Sequence, residues 1–287
     1  MEFRDIKDVL SFAAFRPEAD NPRFPWSKRF PGRKSVLVNV GRGKVTWAYM
    51  NKRGAVENTG MADGEFMDVA SQMATDWANQ ADGWVGVSLN NRFIISLEHN
   101  LSRQKGWEET IRTNPKSLLG TKHDRTKRYS LHHSPETSAS LVLACDESMI
   151  KSVEESMRSH NLRPARICSG LFAMTGQLLN RISNDEAFKN QDLVVITWCD
   201  GSLCVLRQKK GQWQDLRSRS GLNPTDESAV QQMLKPYVES ADANTRIVLM
   251  GEDEENQFAK NYMPHLANLH VTDVTEPNQL WSLLGQF

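Results

Sequence analysis

Two stretches of this chain repeat one pattern. At 35–60 three short strand-like runs, SVLVNV, VTWAYMN and AVENTG, are joined by the turns GRGK and KRG. At 192–219 the runs DLVVITW, GSLCVLRQ and QWQDLRSR are joined at CDG and KKG. Tight Gly-containing turns between β-rich runs are hairpin connections, so each set predicts a three-stranded antiparallel meander. Helices and strands alternate after both. A meander continued by alternating helices and strands builds a mixed sheet. The chain is therefore expected to be α/β, with two mixed sheets of similar plan.

After the first meander, Phe66, Val69, Ala70, Met73, Ala74 and Trp77 recur at three and four residues and predict a helix over 61–81. Strands follow at 83–89 and 92–98, separated by Asn90-Asn91. A polar insertion containing a short helix at 107–113 leads to strands at 127–134 and 139–146. A helix over 148–159 stops at Asn161, a residue suited to a left-handed cap. A strand at 165–168 and a helix over 170–182 complete this half. The second half continues with a helix over 225–240 broken near Pro236, a strand at 245–251, a helix over 254–262, a strand at 269–274 and a closing helix. The expected division is an extension at 1–34, a first half at 35–182 with an insertion at about 99–145, and a second half at 192–287.

Composition excludes several functions. Thirty-five basic residues balance 35 acidic ones, which argues against a nucleic-acid binder. No apolar run approaches the roughly 18 residues of a membrane span, and the first residues lack the pattern of a signal peptide, so a cytoplasmic protein is expected. Cys145, Cys168, Cys199 and Cys204 lack metal-ligand spacing and read as buried thiols in a reducing compartment. His132 and His133 fall on opposite faces of one strand and cannot share a metal. Asp63 and Glu65 suit a helix start. No metal, cofactor or catalytic residue is expected. In the extension, 1–15 reads as an amphipathic helix through Ile6, Val9, Leu10 and Phe12, followed by four prolines. The five basic residues of 22–34 suit either an anionic lipid surface or partner, or a solvated arm, and Trp26 is a candidate contact.

The stretch from Ser140 to Leu179 runs strand, helix, the turn and strand HNLRPARI, then SGLFAM opening a helix, after an insertion at 99–134. This order resembles the superfamily of actin, sugar kinases and Hsp70, and within it the PilM family. PilM is the FtsA-like cytoplasmic component of type IV pilus machines, with relatives among the GspL cytoplasmic domains of type II secretion and in mannose-sensitive pilus assembly. The resemblance covers about 35–285. It implies an actin-like, ribonuclease H-like duplicated fold, with a small inserted subdomain in the first half and a reduced second half.

An active nucleotide cleft on that fold needs an acid and glycines at each hairpin, so that amides hold phosphate and a carboxylate orients metal-bound water. Here Asn39 stands in the first acid position, although Gly41, Gly43 and Lys44 keep the turn. In the second hairpin Thr197 and Cys199 replace acid and glycine, bulky Trp198 lies between them, and Asp200-Gly201 reads as an ordinary turn. The third element has Gly251 followed by four acids, which would repel a triphosphate. A degenerate cleft without hydrolysis is expected. The alternative is a nucleotide-dependent switch or ATPase retaining ATP through Gly41, Gly43, Lys44 and Gly251.

The resemblance further implies a partner. PilM-like proteins receive the cytoplasmic tail of a PilN-like single-pass inner-membrane protein between the first sheet and the inserted subdomain. Such a scaffold would be cytoplasmic and peripheral at the inner membrane. Trp84, Phe93, Ile95, Leu171 and Phe172 are the expected groove residues, although core positions fit them equally. The basic stretch 112–128 would face anionic lipid headgroups or an acidic segment of the partner, or remain a solvated loop.

Overall fold

A computed structural model describes residues 14–15, 34–81, 84–100, 110, 113–133, 139–188, 191–210, 212–223, 227–241, 244–252, 266 and 269–284. The first sheet begins with the meander β2 (Ser35–Val40), β3 (Lys44–Met50) and β4 (Val56–Asp63). β5 (Trp84–Leu89) pairs in parallel with β2, and β9 (Arg163–Ser169) in parallel with β5. The second sheet repeats this order. Its meander is β10 (Asp192–Cys199), β11 (Ser202–Lys209) and β12 (Gln212–Ser220), and β13 (Thr245–Met250) and β14 (His270–Asp273) add in parallel beside β10. The orders β9-β5-β2-β3-β4 and β14-β13-β10-β11-β12 correspond strand for strand, in two separate sheets.

Side-chain alternation decides how each sheet is covered. In β10 and β13, Val194, Ile196, Trp198, Ile247 and Leu249 pack with Val230, Leu234 and Tyr237 of α5 (Glu227–Glu239). Leu193, Val195, Cys199, Val248 and Met250 point the other way and join the core of the first half. Between the sheets lies α4 (Gly170–Asn184), which follows β9 yet packs chiefly on β10, β11 and β13. The closing helix α6 (Gln279–Leu284) packs beside it. On the outer face of the first sheet, α1 (Phe66–Gln80) and α3 (Glu147–Ser159) pack together. Trp77 of α1 meets Trp47 of β3 edge-on, with centroids 5.7 Å apart.

The insertion is a three-stranded antiparallel sheet, β6 (Ile94–Asn100), β8 (Ala139–Asp146) and β7 (Lys127–His133), with the short helix α2 (Pro115–Leu119). Leu119, Tyr129, Val142 and Ala144 form its own small core. Arg128 ties it to α3, reaching Glu147 through two hydrogen bonds of 2.6 and 2.8 Å and buried Glu154 at 2.6 Å.

Several expectations change. β4 continues to Asp63, so the helix expected from 61 begins at Phe66. β6 begins at Ile94, because Asn91–Phe93 forms a single 3-10 turn after Asn90. Pro236 does not break α5; it lies inside the helix, near its end. Ala14–Phe15, expected in a helix, form the strand β1, antiparallel to β9. The remainder of that expected helix, the basic stretch 22–33 with Trp26, most of the 107–113 helix and the 254–262 helix lie outside the described residues. So do the side chains of His132 and His133. Asn161 does carry the left-handed φ of 60°.

Replacing Arg128 would leave the buried Glu154 carboxylate only the longer ion pair with Arg158, 3.9 Å. Arg128→Met should cost about 3–5 kcal/mol near neutral pH, measured by urea unfolding. Hydrogen bonds from Arg128 hold the Glu147 carboxyl below its ordinary range. Stability from a depressed carboxyl is present above its unfolded value and lost as pH falls through the folded one. The gap between variant and wild type should therefore narrow as pH drops below about 4.5.

Candidate functional site

The two meander hairpins meet where the sheets approach. Asp200 and Gly201 form the second turn with φ of 46° and 66°, the left-handed pair that suits a two-residue hairpin. The Asp200 carboxylate faces the first half. Its Oδ2 accepts from Asn39 Nδ2 at 3.2 Å and from Asn90 Nδ2 at 2.5 Å. Asn90 Nδ2 also donates to the Asp200 carbonyl at 2.9 Å, and Asn90 Oδ1 accepts from the Arg92 amide at 2.8 Å. Gly41 permits the close approach of the turns: a Cβ there would lie 2.9 Å from the Lys44 carbonyl oxygen and 3.5 Å from the Asp200 carboxylate.

A second carboxylate completes the arrangement. The Asp200 amide donates to Glu252 Oε2 at 2.8 Å. Glu252 is held in turn, since its carbonyl accepts from the Leu280 amide at 3.2 Å and the neighbouring Gly251 amide donates to Thr275 Oγ1 at 2.8 Å. Burial, then the charges of Glu252 and Asp200, push the Cys199 thiol well above its ordinary range, so it stays protonated.

Beside this network opens a cleft of about 730 Å³. Of the residues expected to line it, Asn39, Gly41 and Lys44 do so, together with Arg42, Met61 and Trp281. Thr197, Cys199 and Gly251 are buried behind it and Gly43 sits at the turn, φ 70°. Trp198 does not obstruct the cleft. Strand alternation turns its side chain to the opposite face, into the core under α5. Asp200 exceeds the ordinary turn residue of the sequence reading, and Asn90 was legible only as a separator between strands. The DG turn and the Asn pair are visible in sequence; their meeting across 110 residues is not.

Phosphate would need free amides at the hairpins and no competing negative charge. Here the Asp200 amide is already bonded to Glu252, and two carboxylates flank it. The first hairpin contributes an amide donor, Asn39, in the acid position, and exposed Arg42 and Lys44 at its tip. Among the described residues no group of His, Cys, Asp or Glu could hold a metal ion.

The expected groove residues do not assemble into one wall. Leu171 and Phe172 are fully buried between the sheets, so a tail could reach them only by opening the core. Phe93 is half-buried, Ile95 is 46% exposed on β6, and the Trp84 side chain lies outside the described residues.

No protein-family model matches the chain, and no curated protein matches it. Solved structures do. A chain of the PilM-PilN type IV pilus biogenesis complex aligns over 89% of this chain and 98% of its own, at 11% identity and a TM-score of 0.55. The cytoplasmic domain of EpsL, an inner-membrane component of the type II secretion system of Vibrio cholerae, covers 88% and 93% at 11% identity and 0.53. A Bacteroides thetaiotaomicron protein of actin-like ATPase fold and unknown function covers 88% and 96% at 10% identity and 0.53. The fold is actin-like. The duplicated α/β plan and the resemblance drawn from the sequence both meet these neighbours, and at such identities the likeness speaks for the fold alone. No described helix is long and apolar enough to cross a membrane.

Asp200→Ala should cost about 1–3 kcal/mol in urea unfolding, because it strips the carboxylate acceptor from Asn39 and Asn90. Asp200→Asn keeps an acceptor and should cost less.

Proposed function

We propose that this chain is a non-hydrolysing scaffold of a type IV pilus-like or type II secretion-like assembly. It receives the N-terminal cytoplasmic tail of a PilN-like single-pass inner-membrane protein, and works in the cytoplasm at the inner-membrane surface. The observation that carries the reading is the Glu252 carboxylate on the Asp200 amide. An actin-like cleft that fills its own anion position has little use for a nucleotide. The PilM-PilN and EpsL fold likenesses support this choice of machine, and net neutrality speaks against nucleic acid. Basic residues within 112–128 suit anionic lipid headgroups as a secondary contact.

The competing reading is a nucleotide-binding switch, favoured by the open cleft and the exposed Arg42 and Lys44. Calorimetry with ATP and millimolar magnesium separates the two. No heat of binding and no hydrolysis are expected, and Asn39→Asp should restore neither, since Glu252 remains in place. A micromolar dissociation constant would overturn the non-nucleotide reading.

The partner is tested separately, with synthetic cytoplasmic tails of co-encoded single-pass membrane proteins. A tail that binds should raise the unfolding free energy by about 2.7 kcal/mol at a hundredfold excess over its dissociation constant. If no such tail binds, the scaffold reading fails.

A further inference from the structure

A polar layer lies where the two halves face each other. On the first sheet Asn39 of β2 and Ser88 of β5 are direct neighbours in a parallel pair, and Asn91 follows in the turn after β5. On the second sheet, alternation puts Thr197 of β10 and Ser202 of β11 on the face of Cys199 and Cys204, which joins the core of the first half. None of these five polar residues is more than 6% exposed. Each has a side-chain oxygen without a hydrogen-bond partner: Asn39 Oδ1, Ser88 Oγ, Asn91 Oδ1, Thr197 Oγ1 and Ser202 Oγ. The other such atoms among the described residues, Trp77 Nε1 and Ser156 Oγ, belong to the outer helices α1 and α3.

A buried oxygen left dry keeps the full cost of losing water, so each such atom calls for an explanation. Ordered water satisfies groups of this kind when it finds two to four polar partners. Asn39 and Ser88 sit on adjacent strands, about 4.8 Å apart, a spacing that one water spans. Asn39 Nδ2 donates to Asp200, which leaves Oδ1 turned away from that carboxylate. Gly170 keeps the place open, since a Cβ there would collide with Ser88 Oγ. At the other end of the layer, Asn91 Nδ2 donates to Ser220 Oγ at 3.0 Å, and Ser220 is the strand partner of Ser202. That contact brings Asn91 Oδ1 towards Ser202 Oγ.

We infer that ordered water completes the junction of the halves, one molecule bridging Asn39 Oδ1 to Ser88 Oγ and another joining Asn91 Oδ1 to Ser202 Oγ. The first has a further role. Its hydrogen on Oδ1 holds the Asn39 amide with Nδ2 towards Asp200, so Ser88 is a positioning residue for the contact between the hairpins. A hard cation is the poorer occupant, because it gathers six or more oxygens around one point, whereas these oxygens lie in pairs along a layer. The inference does not depend on the scaffold reading.

Three measurements on the full-length chain test this. Magnetic relaxation dispersion of isotope-labelled solvent counts long-lived internal waters. Wild type should hold them, and Ser88→Ala should show one fewer; none in wild type, or an equal number in the two proteins, overturns the proposal. Should Ser88→Ala fail to fold, Ser202→Ala carries the same comparison. Urea unfolding gives an independent sign. Deleting a hydroxyl from a dry site removes an unpaired polar group and raises the midpoint, whereas deleting one that holds water lowers it. A lowered midpoint is expected for Ser88→Ala, and an unchanged or raised one overturns the inference. Paired with Asp200→Ala, the loss should be clearly non-additive, because the two act on one amide; simple additivity overturns the positioning role. The third measurement exchanges potassium chloride for tetramethylammonium chloride at equal ionic strength. The wild-type midpoint should not move, and a fall would identify the occupant as an alkali cation and overturn water.

Discussion

The arrangement depends on one carboxylate placed between two hairpins. Asp200 belongs to the second half, and its hydrogen-bond donors Asn39 and Asn90 belong to the first. Its own amide is answered by Glu252 from a third element. A partly buried carboxylate accepting two side-chain amides is a low-energy arrangement, and removing either side leaves polar groups without partners. Two further side-chain contacts reinforce the seam, Asn91 to Ser220 at 3.0 Å and Ser96 to Ser218 at 2.8 Å. The halves are thus held by short, directional polar contacts at the rim and by a shared apolar core beneath.

These contacts bear on what an actin-like cleft can do here. Where a nucleotide bridges two hairpins, its phosphates supply the charge that binds their amides. In this chain the amide of Asp200 donates to the Glu252 carboxylate. The first hairpin retains space and positive charge at its tip, whereas the second has its amide and acid already engaged. The asymmetry follows from two side chains, the neutral amide of Asn39 at the first hairpin and the Glu252 carboxylate beside the second.

Much of the fold was legible because hydrophobic period and turn chemistry agreed. The two meanders, the helix through Trp77 and the left-handed Asn161 all rest on local signals. The misses have physical reasons. A two-residue strand such as β1 has too little pattern to outweigh the helix-like spacing of Ile6, Val9 and Leu10. Met61 to Asp63 extend β4 because β3 offers them partners, a tertiary pairing that helix periodicity conceals. Leu171 and Phe172 were readable as apolar but not as inaccessible, since that depends on the second sheet closing over α4. The cleft was legible in part: Asn39, Gly41 and Lys44 do line it, but Trp198 turns into the core under α5, and the contact of Glu252 with the Asp200 amide was not foreseen. A strand's two faces cannot be assigned to cleft or core until its neighbours are known.

The position of α4 has a consequence for how the chain can be divided. By sequence it closes the first repeat, yet its apolar side lies against β10, β11 and β13. A cut between the repeats would leave one fragment bearing a helix with nothing to cover, and the other a sheet with one greasy face open to water. Neither piece inherits a finished interior. The unit that repeats in topology is therefore not the unit that closes its own core, and a border drawn between the repeats in sequence runs through a shared apolar interior.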